Sequence, residues 1–463
     1  MLEETSVPGT DDWWLAELAT EFGLDLPRVY RLKAYSDGTN ALPDEADASM
    51  REAYRRFIHM SRLNMAELIV SARTNRMKPL GFRTAAPGDV TGDTAAWAMW
   101  KRNGLRVGVR DLFTDAGTFG SAFLTTTGPS MPSPDARPLI VPSNPTATTT
   151  RQYALQPWLS EAALQVGYDP INGAEVLTLF RPGYMRQAVR DARKPSIPSN
   201  GKRWSMGRGW GWASDPIPLG YTDEVPVFRL SGPGGKGMFE KHLDSLDRIT
   251  NEIRERLTIN AMQAFRQRAL SGNLPDVYPE GHPQAGQKID YDEIFRAGPA
   301  ALWRLPAEAE IWESTITDTG SILNGSKDDI KNLAAASSTA LYMLSPDAAG
   351  GSAEGASLAR EALTFSTEEW IDRAEVPITL ALGTGFKAQA DETRADVGGI
   401  EIIWAPVDRS SILERSAAAA SAKAGGLSQQ MINEKIFQLT PAELLQEQQY
   451  KQDEAFAALT TGA

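Results

Sequence analysis

Three carboxylate groups are, by residue type, the best equipped for chemistry in this chain: Asp290/Asp292/Glu293, Asp328/Asp329 and Glu368/Glu369. Closely spaced carboxylates can hold a pair of divalent metals for phosphodiester hydrolysis. Adjacent helical residues point in different directions, however, so such pairs ordinarily stand in solvent. A metal-dependent DNA-processing enzyme therefore remains an alternative. Two glycine-rich segments also invite inspection. GPGGKG (Gly232 to Gly237) has Leu230 where the first glycine of a phosphate loop belongs and Gly237 where a magnesium-binding Ser/Thr belongs, so it reads as a linker. GGSAEG (Gly350 to Gly355) carries Glu354 at the last glycine position of a nucleophile elbow, and no apolar strand leads into it. His59, His242 and His282 are far apart, and the absence of cysteine excludes disulfides, thiol nucleophiles and Cys-based zinc sites. No catalytic residues, metal ligands or cofactor are expected.

The elements around these residues belong to a chain of 463 residues, long enough for one large core or two to three domains. Its formal charge of −12 argues against simple tight binding to a DNA backbone. That charge is unevenly placed. Arg51 to Arg83 holds eight Lys/Arg against two Asp/Glu, and Arg181 to Arg208 holds eight against one. From Pro306 to Asp372 the balance reverses to twelve Asp/Glu against three Lys/Arg. The N-terminal residues lack the basic and apolar regions of a secretory signal, and no apolar run is long enough to cross a bilayer, so a soluble intracellular protein is expected.

Apolar spacing predicts helices within 44–77, from Trp97 to Leu105 and from Val107 to Gly117. Short β-like runs follow to about Arg229: Phe119 to Gly128, Arg137 to Val141, Ala163 to Tyr168, Glu175 to Phe180 and Val225 to Leu230. The tryptophans Trp204, Trp210 and Trp212 alternate with Lys202, Arg203 and Arg208. They could stack nucleic-acid bases or pack beneath a loop as a glycine-loosened hairpin. A long helix is expected from Phe239 to Leu270, with Leu243, Leu246, Ile249, Ile253 and Leu257 in one narrow stripe. Such a stripe must pack on another long element or another subunit. A Pro/Gly-rich, β-containing excursion over Ser271 to Asp318 separates it from a second helix, Ser326 to Leu344. A small-residue loop comes next, then a helix from Leu358 that Pro377 should kink or interrupt. Ile400 to Asp408 reads as a strand, and Arg409 to Leu459 as helices broken at Gly425-Gly426 and Pro441.

Five segments in this order resemble the portal proteins of tailed bacteriophages, in the siphophage branch of Gram-positive, especially actinobacterial, hosts. They are RLNMAELIVSARTNRMKPLGF (Arg62 to Phe82), DAGTFGSAFLTTT (Asp115 to Thr127), ALWRLPAEAEIWE (Ala301 to Glu313), SAEGASLAREAL (Ser352 to Leu363) and IIWAPVDRSS (Ile402 to Ser411). The resemblance implies an α+β portal fold: a wing of helices and a small sheet, a two-helix stem, a β-rich clip, a tunnel loop, a kinked long helix and a helical crown. On that mapping 1–237 is the N-terminal part of the wing, 238–270 the first stem helix, 271–318 the clip and 319–344 the second stem helix. The tunnel loop is then 345–355, the kinked helix and the C-terminal part of the wing 356–410, and the crown 411–463.

The family's function would be a non-enzymatic dodecameric ring at one capsid vertex, assembled in the host cytoplasm, through which double-stranded DNA is packaged and ejected. Its implied partners are further copies of itself, the terminase, the head–tail adaptor, the major capsid protein and a scaffold, with no membrane. Asp347, Gly350, Gly351, Ser352 and Glu354 would face DNA from the tunnel loop. Leu243, Leu246, Ile253, Leu257 and Arg254 would meet the next subunit along the stem. Trp303, Leu305 and Trp312 would belong to the clip. The acidic stretch Pro306 to Asp372 is expected to make the channel repulsive, and the basic stretch Arg181 to Arg208 to lie on the outer wing. Another, shorter head–tail connector is the remaining alternative.

Overall fold

The structure, a computed structural model, describes residues 7–40, 59–87, 92–198, 200–264, 268–271, 275–290, 310–313, 318–345, 353–408 and 412–461. The chain divides into two units, one of Met1–Pro43, Leu63–Asp247 and Ile330–Ala463, the other of Asp44–Arg62 and Arg248–Asp329. The fold class is α+β.

The first unit opens with α1 (Asp11–Ser36), which is not among the expected elements. The Thr10 side chain accepts from the Trp13 N–H, Asp11 and Asp12 occupy the first turn, and Lys33 the last. That polarity suits the helix dipole. Trp14, Leu15, Leu18, Phe22, Leu26 and Val29 form its buried stripe. Pro27, inside the helix, has no N–H to give the Gly23 carbonyl. That carbonyl accepts instead from the Trp204 N–H at 3.3 Å. Glycine at 23 permits the approach, since a Cβ there would stand 1.9 Å from the Trp204 carbonyl oxygen.

Then come α2 (Met65–Thr74), β1 (Pro79–Arg83), α3 (Thr94–Arg102) and α4 (Leu105–Phe119). Gly104 and Gly120, both left-handed, separate α3 from α4 and end α4, as the glycine punctuation predicts. After β2 (Ser121–Thr127) and β3 (Leu139–Ser143) the chain makes β4 (Thr148–Gln152), β5 (Ser160–Asp169), β6 (Ala174–Arg181) and β7 (Tyr184–Asp191). Two-residue strands β8 (Gly211–Trp212) and β9 (Ile217–Pro218) precede β10 (Val227–Ser231). One antiparallel sheet has the order β10-β2-β3; the other runs β4-β5-β6-β7-β8, with β9 also on β7.

Next are α5 (Leu243–Ala264), β11 (Arg268–Ser271), β12 (Glu310–Glu313), α6 (Gly320–Ala336), α7 (Leu341–Leu344) and α8 (Ala353–Ala388). Three expected boundaries change. The first long helix ends at Ala264, because Arg268 to Leu270 pair with Glu313 to Ile311 instead of continuing it. At 1.5 Å per residue it spans about 33 Å. The second starts at Gly320 and stops at Ala336, where Ser338 takes a φ of +50°. The third begins at Ala353 and passes Pro377 without interruption. An interior proline costs about 3 kcal/mol. Burial of Ile378, Leu382 and Phe386, at about 1.5–3 kcal/mol each, outweighs it.

The C-terminal elements are α9 (Glu392–Ala395), β13 (Glu401–Trp404), α10 (Ile412–Ala424) and α11 (Pro441–Thr461). Pro441 starts α11. The Thr440 and Glu443 side chains satisfy each other's backbone N–H groups at 3.4 and 2.7 Å, a reciprocal cap. β13 pairs antiparallel with β1, and Arg83 on β1 bonds both Glu401 and Glu434.

α4 and α8 pack on the β10-β2-β3 sheet around Trp100, Phe113, Phe228, Trp370 and Phe386. α1 packs on the larger sheet around Trp14, Phe22, Leu164, Leu179, Trp204 and Trp210. Helix propensity alone would make Gly23→Ala stabilising by about 1 kcal/mol. Overlap with the Trp204 backbone reverses the sign: about 1–3 kcal/mol of stability should be lost. Urea denaturation measures this, and a variant at least as stable as the parent would contradict the close packing.

Candidate functional site

The elements expected to form the stem and the base of the clip are α5, β11, β12 and α6. Within the second unit α5 and α6 lie side by side and antiparallel. Arg248 on α5 bonds both carboxylate oxygens of Asp329 on α6, with Nη2 at 2.9 Å from Oδ1. One turn on, a Cβ at Gly325 would stand 3.9 Å from the Glu252 carboxylate. The excursion between the helices is closed by an antiparallel ladder of four residue pairs, from Arg268↔Glu313 to Ser271↔Glu310. Farther out, Val277 bridges Lys288 and Tyr278 stacks on His282 at 4.3 Å.

In the first unit the glycine segment resolves as a backbone bracket. Gly232 N–H donates to Gly120 at 2.9 Å, and Met238 N–H to Gly117 at 2.7 Å. A Cβ on Gly237 would lie 2.2 Å from the Thr118 carbonyl oxygen, and one on Gly120 would lie 2.4 Å from that of Gly235. The segment is therefore pressed onto the end of α4 in place of the expected linker. Arg28 from α1 locks it: Nε and Nη2 donate to Glu240 at 2.8 and 2.6 Å, and Nη2 also reaches the Phe119 and Gly235 carbonyls. Glu240 accepts the Gly237 N–H at 3.0 Å and lies in the turn that opens into α5. Burial pushes its carboxyl up, but the Arg28 and Gly237 donors hold it below its ordinary 4.5.

A second joint sits just past the end of α6. The guanidinium of Arg73 is buried on α2. It donates to Ile69 O at 2.9 Å, Ser366 Oγ on α8 at 2.8 Å and the Ser337 carbonyl. Burial lowers its pKa to about 10. This arginine thus caps the C-terminal end of α6, where helix carbonyls lack donors, and ties it to α8.

The residues expected to act are distributed as follows. Asp347, Gly350, Gly351, Ser352, Trp303 and Leu305 lie outside the described residues, as do the side chains of Glu354, in the first turn of α8, and Trp312, on β12 opposite Ala269. Leu243, Leu246, Ile253 and Arg254 are buried within the single chain, and Leu257 is partly buried. The stripe is thus largely covered without a second copy, and Arg248 pairs with Asp329 of its own chain.

Within the basic stretch Arg181 to Arg208, the three arginines Arg181, Arg186 and Arg190 are engaged internally. Arg181 lies over Trp14 at 4.6 Å, Arg186 over Trp212 at 4.2 Å and Arg190 over Trp210 at 4.7 Å. Arg186 also pairs with Asp11 at 3.1 Å and Arg190 with Glu175, while the Trp212 Nε1–H donates to Asp12 at 2.7 Å. Trp204 and Trp210 are buried, so packing under a loop, not base stacking, is their role. Nothing in the spacing of these arginines marked this, since the tryptophans they lie on, Trp14, Trp210 and Trp212, are at least twenty residues away in sequence.

Glu369 pairs with Arg373 and Asp329 with Arg248, and among the described residues no group of three or more His, Asp or Glu side chains is gathered that could hold a metal. No helix there is long and apolar enough to cross a membrane. No protein-family model matches the chain, and no curated protein does.

Glu240→Gln keeps the shape of the Arg28 junction but removes its charge. It should cost about 1–2 kcal/mol at neutral pH, moderated by the partial exposure of Arg28. A carboxyl held below its ordinary value stabilises above that value and loses its contribution as pH falls through the lowered one. The gap between variant and parent should therefore narrow as pH falls below 4.5 and through the lowered value. Denaturation over a descending pH series from 7 checks this, and a gap that does not narrow on acidification would contradict it.

Proposed function

We propose that the chain is the subunit of a portal ring of the tailed-bacteriophage kind, a non-enzymatic conduit for double-stranded DNA at one capsid vertex. The observation that carries this reading is the antiparallel pair α5 and α6, joined at Arg248–Asp329, with the intervening chain returning through β11 and β12. Two helices that leave and re-enter a body around a pinned excursion are what a stem and clip require. In this reading the clip docks the terminase and then the head–tail adaptor, and the wing meets the capsid protein and scaffold. ATP hydrolysis belongs to the terminase, in keeping with a glycine segment whose backbone is occupied in packing.

Charge supports the same reading. A conduit must surround a polyanion without gripping it, and each Lys/Arg contact to phosphate adds affinity that would brake sliding. The excess of twelve carboxylates over three cations between Pro306 and Asp372 includes Asp347, between α7 and α8, and Glu354, in the first turn of α8. Ala348, Ala349, Gly350, Gly351 and Ser352, which follow Asp347 in the sequence, are all small, so a loop built from them would present little side-chain bulk to DNA.

Rotationally averaged negative-stain images of the purified chain should show rings of about twelve copies with a central hole. Particles of one copy, together with DNA cleavage that depends on a divalent cation, would overturn the reading in favour of an enzyme. Asp347→Lys with Glu354→Lys should slow DNA packaging or ejection severalfold while leaving rings intact. An unchanged rate would remove the loop from the mechanism.

A further inference from the structure

Two surfaces of the first unit carry opposite charge that the chain does not neutralise itself. The first is a depression of about 260 Å³ floored by Met77, Trp100 and Val109 and rimmed by Lys78, Arg106 and Arg110. No carboxylate lines it. The three cations are exposed and, among the described residues, make no ion pair. Arg106 and Arg110 are one turn apart on α4, and Val107 between them is 67% exposed. Asp111 is the one acidic residue in the first two turns of that helix.

The second surface is a stripe on α8. Glu361, Phe365, Glu368, Asp372 and Val376 follow at spacings of four, three, four and four, so they share one helix face, and all are exposed. Phe365 is 62% exposed and Val376 42%. Glu361, Glu368 and Asp372 make no ion pair among the described residues. Of the neighbouring cations, Arg373 is engaged by Glu369, and Arg360 lines a separate depression with Arg76 and Tyr342.

We infer that these surfaces meet between copies of this chain: the Glu361/Glu368/Asp372 stripe of one copy docks on the Lys78/Arg106/Arg110 depression of the next, with Phe365 over its apolar floor. The inference rests on the ring reading and supplies a contact for it. Each surface sets apolar area beside charge that is predominantly of one sign, the arrangement of an interface with a dry centre and a charged rim. The surfaces use different residues, so the contact is head-to-tail and is satisfied for every copy only when the chain of contacts closes. It also assigns part of the acidic stretch to assembly, leaving the loop before α8 as the portion proposed to face DNA.

The test is a charge exchange read by mass photometry and negative-stain imaging across protein concentration. Arg106→Glu with Arg110→Glu, and separately Glu361→Lys with Glu368→Lys and Asp372→Lys, should each raise the concentration needed for assembly at least tenfold. The chain carrying all five changes should return to within about threefold of the parent. Circular dichroism and thermal unfolding accompany each variant, and rescue by the five-change chain excludes loss of folding as the cause. If the parent forms rings and either single-surface variant assembles like it, the inference fails and the ring reading stands. If the parent forms no ring, or only a closed pair, the ring reading fails with it. If Arg106→Glu with Arg110→Glu abolishes binding of duplex DNA while assembly is unchanged, the depression is a phosphate site and the inference is overturned.

Discussion

Arg28 joins three stretches of chain that are distant in sequence. Its own helix α1, the Phe119 carbonyl at the end of α4, the Gly235 carbonyl of the glycine bracket and the Glu240 carboxylate ahead of α5 all converge on one guanidinium. A planar group with five fixed donors can serve a bidentate carboxylate and two carbonyls together; a lysine ammonium cannot. The point at which α5 begins is set here. The glycines around the arginine are the other half of the constraint, since Gly120 and Gly237 let two backbones approach to distances that any side chain would forbid. Because α5 continues into the excursion and back through α6, the geometry proposed to matter for function starts at this junction.

The same economy governs charge. In Arg181 to Arg208, a stretch with eight cations against one carboxylate, Arg181, Arg186 and Arg190 lie on tryptophan faces, and Arg186 and Arg190 also pair with Asp11 and Glu175. Cations held that way are structural, tying the first turn of α1 to β7 and β8. Glu361, Glu368 and Asp372 of α8 and the cations beside Trp100 are, among the described residues, not consumed in this manner. Net charge by segment thus misleads unless each charge is followed to its partner.

Much of the strand pattern was legible because turns marked by Pro, Gly and Asn leave short β-branched and aromatic runs between them; β2, β5, β6 and β10 lie close to where the residues place them. The helices α3, α4 and α11 were bounded by glycine or proline and were equally readable. What was not legible depended on contacts distant in sequence. α1 was obscured by Pro27 and an acidic start, yet Trp204 supplies the hydrogen bond that the proline omits. Arg268 to Leu270 continued an apparent helical pattern, and only their partners across the ladder make them a strand. α6 broke at Ser338, a positive-φ residue that nothing local demands. Of the candidate site, the order helix, excursion, helix could be read directly, whereas the joints at Arg28 and Arg73 could not, since an arginine that bonds carbonyls has no sequence signature.

The ladder of β11 and β12 has an evolutionary consequence. With four residue pairs holding its two ends, the entropy of closing the intervening chain changes by only about 0.6 kcal/mol for each doubling of length. On that term, changes of length between Ser271 and Glu310 cost the rest of the molecule little. A lineage obliged to fit new docking partners can rewrite that segment rapidly while the body that carries it drifts slowly, so related chains should align well on either side of the ladder and poorly within it.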